Sequence, residues 1–470
     1  MTGRALTLER VANEDWQPAA TRAIVGGGRA VSLYAVGDEV RLLLADGPEN
    51  HLLGCAARGG EVATLLGLAP HLEWGEREAH ERSGVVFRGH SPLRPLVEHD
   101  LDLTHWTVPV TGHGPYQVAV GPIHAGVIES GHFRFHVVGE RILHLDVRLF
   151  YKHRGLERAA EGQSLEAGMA YAQRMCAACS VTNTVAYAQA CEQALGRWPD
   201  ADLARARTVL LELERLYNHL YDIGQLCAGV GFAPGTMAFL SLKERAQRLN
   251  ERLAGHRFLF GAVAIGASPL RIDATAADAA REELRSIEQS AQSCWREVLF
   301  NGSLQDRLDG VGVVTHDWAR RLGAVGPAAR ASGIAHDVRS ESPRLAYDDF
   351  VAATPERGMT GDVQARVDMR AAELWPTFAM LDELLSHPIG GGSTTQVGEA
   401  GEAGASRVES PRGETACVVE RDGDRITRLH VRSGSNANWR MAAHASVDAL
   451  LPDFPLINKS FELCYACSDR

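Results

Sequence analysis

The segment 203–220, LARARTVLLELERLYNHL, decides the fold class of this chain. Its apolar residues recur at intervals of three or four, which places them on one face of a long helix. The same pattern returns in residues 240–257, 276–299 and 366–385. Because each such helix must bury its apolar face, the four together predict a helical bundle. The apolar positions of the first helix are Leu203, Ala206, Leu210, Leu213, Tyr217 and Leu220.

Short β-patterned runs precede the helical region. Residues 30–36 and 39–44 are rich in β-forming residues and flank the turn sequence Val36-Gly37-Asp38, so they predict a hairpin. Residues 55–68 and 74–82 are predicted to be helices, the first ending near Ala69-Pro70. The first hundred residues therefore predict a small unit that contains both helices and strands.

Further β-patterned runs lie close to the bundle in sequence. Residues 133–138 and 141–147 predict a second hairpin, and apolar and polar residues alternate again at 415–420 and 425–431. The predicted fold class is therefore α+β. It comprises a small N-terminal α/β domain followed by a large, mostly helical-bundle domain with peripheral β-hairpins.

The predicted boundary between these domains is a proline-rich stretch. Pro92 and Pro95 interrupt the pattern, and residues 100–109 follow without clear periodicity. We therefore predict one domain at 1–110 and a second at 111–470.

Length, composition and charge exclude several classes of protein. The chain has 470 residues, 45% of them hydrophobic, which is enough to form a large core and excludes global disorder. Its net charge of −11 argues against a general nucleic-acid-binding protein. Residues 1–16 lack the pattern of a secretory signal, and the longest apolar stretch, 258–267, is too short to cross a membrane. We therefore expect a soluble protein that docks on a partner at the membrane.

The cysteines carry the clearest chemical signal. The chain has nine, an odd number that argues against a disulfide framework in a large protein without an export signal. Four of them form the pairs Cys176-Ala-Ala-Cys179 and Cys464-Tyr-Ala-Cys467. Thiolates are soft ligands for zinc, nickel, iron and iron–sulfur clusters, so the two pairs predict a site with four sulfur ligands. The unpaired Cys191, Cys227, Cys294 and Cys417 are expected to pack in the core.

The spacing of the pairs helps to choose among these metals. Zinc ribbons place their pairs about 15–20 residues apart. Here 285 positions separate Cys179 from Cys464, which disfavours a zinc clip. A thioredoxin-like redox role is weaker still, because no βαβ pattern flanks either pair.

The motifs around the pairs resemble those of NiFe-hydrogenase large subunits. Arg174-Met-Cys176-Ala-Ala-Cys179 and Cys464-Tyr-Ala-Cys467 are similar to the two nickel-binding motifs of that family. Other matching motifs occur in the family's order, so the resemblance covers roughly residues 115–470. They are Gly121-Pro-Ile-His124, Glu129-Ser-Gly-His132-Phe-Arg134, His153-Arg-Gly-Leu-Glu157, Glu214-Arg-Leu-Tyr-Asn-His219, Gly326-Pro-Ala-Ala-Arg-Ala-Ser-Gly333, Gly361-Asp-Val-Gln-Ala-Arg366 and Glu409-Ser-Pro-Arg-Gly-Glu414.

The N-terminal residues resemble a different protein. Trp74-Gly-Glu-Arg-Glu78 and Gly84-Val-Val-Phe87-Arg-Gly-His90-Ser-Pro-Leu-Arg94 are similar to the signature of the smaller hydrophilic subunit of respiratory complex I. The bundle is also related to complex I's larger quinone-module subunit. Fused in one chain, the two modules resemble the large subunit of formate-hydrogenlyase-type, membrane-bound hydrogenases. Quinone-reducing relatives lack the nickel cysteines, whereas all four are present here.

The resemblance implies a site with assigned residues. The four thiolates would hold a Ni-Fe centre whose iron carries carbon monoxide and cyanide, with Cys179 and Cys467 bridging and Cys176 and Cys464 terminal on nickel. Glu129 matches a carboxylate that relays a proton beside a terminal cysteine. Arg412 matches an arginine near the iron ligands, where its fork of donors suits cyanide nitrogen.

The resemblance also implies an activity and partners. The chain would be a NiFe-hydrogenase-type oxidoreductase subunit that interconverts H₂ with protons and electrons. Its electrons would pass to an iron–sulfur small subunit, since the cluster belongs to that partner. The complex would lie peripherally on the cytoplasmic side of the cell membrane, with complex-I-like ion-translocating subunits. A formate or carbon monoxide dehydrogenase module is a further expected partner, and nucleic acid is not.

Three departures from the family pattern keep alternatives open. Ala177 replaces a usual glycine, Asn183 replaces a usual histidine, and Glu462-Leu463 replaces the usual Asp-Pro. Asparagine still donates a hydrogen bond but takes no proton at neutral pH. The alternatives are a relative acting on a substrate other than H₂, a complex-I-like quinone or electron-transfer module, and a non-catalytic assembly subunit.

Three further positions have expectations of their own. Glu157 matches a carboxylate that serves a separate magnesium or iron site in some relatives, which usually end in histidine. Arg470 stands in the place of that histidine, so we predict no second metal. Family precursors are trimmed just past Cys-x-x-His or Cys-x-x-Arg, and Cys467-Ser-Asp-Arg470 matches that position. His124 is expected to be structural. Arg215 and His219, on one helix face, are expected to form a buried polar cluster.

Overall fold

The fold is described from a computed structural model, which covers residues 6–98, 108–124, 128–348 and 350–470. Helices and several small sheets together confirm the predicted α+β class. Most of the predicted boundary at 100–109 lies outside the described residues, and the division at residue 110 stays a prediction.

The N-terminal unit is a four-stranded sheet with two helices. The strand order is β1-β4-β3-β2, with β1 parallel to β4 and the other pairs antiparallel. The predicted hairpin is confirmed, since Val36 of β2 pairs with Glu39 of β3 across the turn. The elements are β1 Leu8–Val11, α1 Trp16–Val25, β2 Arg29–Val36, β3 Glu39–Asp46, β4 Glu49–Ala56, β5 Glu61–Ala63, α2 Glu73–Ser83 and β6 Val86–Arg88.

The helix predicted at 55–68 is wrong. Cys55 belongs to β4 and pairs with Val40, while Val62 of β5 pairs with Phe87. Gly59 and Gly60 lie between these strands with φ of 65° and 83°, a left-handed turn that a helix does not contain. Pairing with β3 and β6 therefore outweighs the local helical pattern. The helix predicted at 74–82 is confirmed by α2.

The rest of the chain is mostly helical. The four long helices predicted from apolar spacing are confirmed as α6, α7, α8 and α12, and α6 packs against both α7 and α12. The helices are α3 Leu156–Ala160, α4 Leu165–Arg174, α5 Ser180–Ala194, α6 Ala201–Gly229, α7 Ala233–Ala254, α8 Ala274–Leu299, α9 Gly302–Leu308, α10 His316–Arg321, α11 Gly326–Ala331, α12 Val363–Leu384, α13 Gly434–Ala445, α14 Phe454–Phe461 and α15 Tyr465–Asp469.

Two three-stranded antiparallel sheets flank the helices. The predicted strand pairs are confirmed in the sheets β7-β8-β9 and β12-β13-β14, and β10 pairs separately with β11. The strands are β7 Tyr116–Val120, β8 His132–Val138, β9 Arg141–Arg148, β10 Arg197–Pro199, β11 Thr394–Gln396, β12 Ala403–Ser410, β13 Gly413–Asp422 and β14 Arg425–Arg432. None of the helices in the described ranges has both the length and the apolar character that a membrane span requires.

The N-terminal sheet packs face to face on the β12-β13-β14 sheet. The Tyr34 hydroxyl donates a hydrogen bond to Glu420 over 2.8 Å, and its ring stacks on His430 with centroids 4.4 Å apart. A buried apolar layer lies between the sheets, so the two parts of the chain share a core. It comprises Val31, Tyr34, Leu43, Ala45 and Leu52 from one side and Ala403, Ala405, Ala416 and Val418 from the other.

Helix α5 packs closely across β12 at Gly404. A Cβ atom at this position would lie 2.0 Å from the carbonyl oxygen of Ala190, so α5 would have to move. We predict that Gly404→Ala lowers the free energy of unfolding by about 1–3 kcal/mol, measured by thermal or denaturant unfolding. Gly302→Ala is the matched control, because nothing lies within 4 Å of its Cβ position. Equal stability of the two variants would contradict the close approach.

The interface between the N-terminal unit and β14 contains a half-buried histidine, His71. The Nε2–H group of His71 donates to the carbonyl oxygen of Ala30 over 2.9 Å. Burial, together with the charge of Arg432, lowers the pKa of His71 to about 4. Its neutral form therefore stabilises the folded state above pH 6.5, and this contribution is lost as the pH falls from 6.5 towards 4.

Between pH 7 and pH 4, the parent protein loses the contribution of His71 to its free energy of unfolding. We predict that His71→Gln makes this loss smaller by about 2–3 kcal/mol, because glutamine keeps an amide donor but does not titrate. The measurement is stability by denaturant unfolding at several pH values between 7 and 4. His113→Gln, at an exposed position, is expected to follow the parent protein. Parallel pH curves for all three proteins would show that His71 does not control the acid sensitivity.

Candidate metal centre

The four paired cysteines meet in one buried cluster. The Sγ atoms of Cys176 and Cys464 are 3.2 Å apart, and those of Cys176, Cys179 and Cys467 all lie within 4.8 Å of one another. Cys176, Cys179 and Cys467 are at most 5% exposed, and Cys464 is half-buried. The fold therefore brings together two pairs that lie 285 positions apart in sequence.

Helix α6 holds the first pair in place. The Glu214 carboxylate accepts hydrogen bonds from the backbone N–H groups of Val181 and Thr182, at 2.7 and 3.1 Å, in the first turn of α5. These groups would otherwise lack partners at the helix start. Tyr217 and Asn218, one turn further along α6, both donate to the carbonyl oxygen of Ala178. The helix that decides the fold thus also positions the loop of Cys176 and Cys179.

Helices α13 and α15 hold the second pair. Cys464 caps α15, and its backbone N–H donates to the Ser435 hydroxyl of α13 over 3.0 Å. The Ser433 hydroxyl donates to the carbonyl oxygen of Cys467. Glu462 ends α14 in the left-handed region with φ of 47°, a conformation that is unusual for glutamate.

Glu129 lies beside the second pair, as the resemblance implies. Its carboxylate accepts a hydrogen bond from the backbone N–H of Ala466 over 2.9 Å, within the Cys464–Cys467 turn. Glu129 is also among the charges that act on the Cys464 thiol. A carboxylate next to that sulfur has the position that a proton acceptor requires.

Arg412 lies near the cluster in a fixed orientation. Its guanidinium donates to Asp222 over 2.8 Å, to Asn218, and to the carbonyl oxygen of Glu462 over 3.0 Å. Burial works against its charge, but Asp222 and then the Cys179 sulfur raise the pKa of Arg412 above its usual value. A permanent positive charge therefore lies next to the thiols.

The thiols themselves favour a bound cation. Hydrogen bonds from Cys179, Cys464 and Cys467 lower the pKa of Cys176, whereas contact with Cys176 raises the pKa of each of the other three. Without a metal, the cluster therefore favours one thiolate and three thiols. Four thiolates in contact require a metal cation to balance their charge.

The surrounding residues fit such a group. Asn183 is one helical turn beyond Cys179, and its buried Nδ2 has no acceptor among the described residues. That nitrogen is therefore a free hydrogen-bond donor on the face of α5 that lies next to Cys179. Ala177 is exposed and its backbone does not enter the left-handed region, so its methyl group imposes no strain on the loop.

Sequence reasoning missed two contributors to this site. Asp222, which fixes Arg412, lies four residues after Asn218 on the same helix face, a spacing that could have identified it. The capping role of Glu214 had no local signal, because its partners are on another helix. The buried polar cluster predicted around Arg215 and His219 is confirmed, since both are fully buried and contact carboxylates.

His124 and Glu157, two more residues of the sequence motifs, make local contacts. His124 Nε2 lies 2.7 Å from the carbonyl oxygen of Gly131, within the loop of Glu129. Glu157 is buried on α3 and accepts a hydrogen bond from the backbone N–H of Val431 over 2.8 Å. The structure brings neither of them into the cysteine cluster.

The fold and the cysteine cluster define a class of oxidoreductase subunits. The sequence matches the family described as the respiratory-chain NADH dehydrogenase 49 kDa subunit over residues 229–400 and 391–470. The chain belongs to this family.

Individual relatives include hydrogenases. Formate hydrogenlyase subunit 5 of Escherichia coli (strain K12) is 30% identical over 449 residues, covering 87% of this chain and 77% of that protein. The carbon monoxide-induced hydrogenase of Rhodospirillum rubrum is 30% identical over 366 residues, covering 76% and 99%. These relatives confirm the resemblance to membrane-bound hydrogenase large subunits.

A solved structure has the same fold. A chain of the membrane-bound sulfane sulfur reductase, an archaeal respiratory membrane complex, superimposes with a TM-score of 0.70 and 25% identity, covering 76% of this chain and 99% of that chain. Relatives with this fold thus carry different activities, so the substrate must be argued from the site.

The Glu214 cap generates a prediction about the first cysteine pair. We predict that Glu214→Ala lowers the free energy of unfolding by on the order of 3 kcal/mol, because two buried N–H groups lose their acceptor. It is also expected to speed the reaction of the apoprotein's cysteines with a thiol reagent, since the start of α5 loosens. Glu166→Ala, which removes an exposed glutamate from the first turn of α4, is the control. Unchanged stability and thiol reactivity would exclude the capping role.

Proposed function

We propose that this chain is the large catalytic subunit of a membrane-associated NiFe-hydrogenase, which interconverts H₂ with protons and electrons. The observation that carries the proposal is the convergence of four cysteine sulfurs, three of them on buried residues, flanked by Glu129 and Arg412. Sulfur ligands suit nickel and iron and disfavour hard cations such as magnesium.

The four cysteines would hold the Ni-Fe centre, with Cys179 and Cys467 as bridges and Cys176 and Cys464 as terminal ligands. When bound, with carbon monoxide and cyanide on the iron, that centre supplies heterolytic cleavage of H₂. The chain's own contribution is to fix all four sulfurs from elements that the rest of the fold holds rigidly. The hydrogen bonds to Ala178 and Cys464 serve this purpose.

Arg412 and Glu129 would act on charge and on protons respectively. Arg412, anchored by Asp222, offsets the negative charge of the thiolates without moving. Glu129 would take the proton from the Cys464 thiol once that sulfur is protonated, which returns Cys464 to the thiolate form. It is only half-buried, and the preceding Ile128 is 37% exposed, so a proton held there has a short route to solvent.

Electrons would have to leave through another subunit. Among the described residues, the cysteines outside the cluster form no group of three or more that would hold an iron–sulfur cluster. We therefore propose an iron–sulfur small subunit as the electron partner. We also propose complex-I-like ion-translocating subunits as partners and a peripheral position on the cytoplasmic face of the membrane. The likeness to a chain of an archaeal respiratory membrane complex supports a membrane partner. A formate or carbon monoxide dehydrogenase module is the proposed donor, and the names of two hydrogenase relatives support it.

The second candidate is a complex-I-like quinone or electron-transfer module, or a non-catalytic assembly subunit. The match to the 49 kDa subunit family favours it, as does Asn183 in place of a proton-carrying histidine. This candidate requires no nickel, so metal content separates it from the hydrogenase.

We predict that the purified complex from nickel-supplied cells contains nickel and exchanges H₂ with deuterated water. Cys467→Ser is expected to abolish nickel binding, measured by mass spectrometry of metals. Glu129→Gln should keep the nickel but slow the exchange by about 10²–10⁴-fold, because the proton acceptor is lost.

Cys294→Ser is the matched control, since this half-buried cysteine lies outside the cluster and should change neither quantity. A parent complex without nickel would overturn the proposal. Full exchange activity in Glu129→Gln would remove Glu129 from the proton path and leave the metal assignment intact.

A further inference from the structure

Arg470 places a buried guanidinium among oxygen acceptors from three separate elements. Its side chain is 2% exposed and donates hydrogen bonds to the Glu78 carboxylate of α2 and to the carbonyl oxygen of Val431 in β14. It also lies 3.4 Å from the Glu157 carboxylate of α3. One side chain therefore contacts the N-terminal unit, the β12-β13-β14 sheet and the start of the helical domain.

The acceptors around Arg470 form the kind of donor set that binds a divalent cation. Glu78, whose side chain is 12% exposed, and the buried Glu157 supply two carboxylates, and Val431 supplies a carbonyl oxygen. His430 is adjacent and buried, and neither of its ring nitrogens has a hydrogen-bond partner among the described residues. Carboxylate and carbonyl oxygens with an imidazole suit magnesium, manganese or ferrous iron.

The space at the centre of these donors is filled by the guanidinium. The two carboxylates need compensating positive charge. Arg470 supplies it with a hydrogen bond to Glu78 and an ion pair to Glu157, while Arg82 lies 3.1 Å from the other oxygen of Glu78. A metal ion at the same position would bring a second cation against Arg470. The residues present therefore do not fit the second metal that some relatives carry near the position of Glu157.

We propose that the Arg470 guanidinium is the resident cation of this site and takes the place of a divalent metal. The hydrogen bond from its guanidinium to Glu78 then joins α2 to the segment that carries Cys467, which lies three residues before Arg470 in the sequence. The adjacent Asp469 strengthens this attachment, because its carboxylate accepts hydrogen bonds from the backbone N–H groups of Phe150 and Lys152, at 2.7 and 2.9 Å. Arg470 is thus a positioning residue for the second cysteine pair, and its role holds whether or not nickel is bound.

The test replaces Arg470 by histidine and asks whether the site then binds a divalent metal ion. The full chain, in its complex, is purified from cells supplied with Mn²⁺, and bound Mn²⁺ is measured by electron paramagnetic resonance and metal mass spectrometry. The parent protein is expected to hold no Mn²⁺ here, and its unfolding temperature should not respond to EDTA. Arg470→His should gain about one Mn²⁺ per chain and acquire an unfolding temperature that EDTA lowers.

Two comparisons make that result specific to this site. Adding Glu157→Gln to the histidine variant should abolish the extra Mn²⁺, because a carboxylate ligand is lost. Arg252→His, at an exposed position on α7, should behave as the parent protein. A parent protein that holds one Mn²⁺ whose removal lowers its unfolding temperature would overturn the proposal, as would a folded Arg470→His that gains no Mn²⁺.

A second variant keeps the proposal testable if Arg470→His fails to fold. Arg470→Lys keeps the charge but lacks the planar fork that reaches two acceptors. It is expected to lower the unfolding temperature and to gain no Mn²⁺. An unfolding temperature equal to that of the parent protein would show that the fork does not join the three elements.

Discussion

Contact among the four paired cysteine sulfurs is the interaction on which the rest of the structure depends. Cys176 and Cys464 approach to 3.2 Å although they lie in distant parts of the sequence. So compact a cluster cannot hold four negative charges without a metal cation. The chain must therefore bring its two cysteine-bearing segments together and keep them in place, and the helices around them serve that purpose.

Buried hydrogen bonds and ion pairs hold these cysteine-bearing segments in place. Asp222 of α6 binds both Arg412 and Arg370, and Arg370 of α12 also donates to the carbonyl oxygens of Ser460 and Phe461 at the end of α14. Helix α6 therefore helps to position both cysteine pairs. Buried ion pairs contribute little net stability compared with apolar packing, but they define geometry, which a metal site with set ligand distances requires.

Much of the fold could be predicted because its signals are local. The periodicity of α6 and the hairpin formed by residues 133–138 and 141–147 depend on neighbouring residues, and both are confirmed. The strand at Cys55 was mistaken for a helix because its pairing partners lie elsewhere in the chain. The spacing of the cysteine pairs predicts a metal site. By contrast, Asp222 and Glu214 act on partners that only the tertiary structure reveals.

An infrared spectrum of the purified complex tests the central claim most directly. Carbon monoxide and cyanide bound to iron have stretching bands in a region that protein groups leave clear, and neither zinc sites nor quinone modules carry them. The account predicts these bands in the parent complex and their loss in Cys179→Ser, which removes one of the four proposed ligands. A fully assembled complex without the bands would contradict a Ni-Fe centre at the four cysteines.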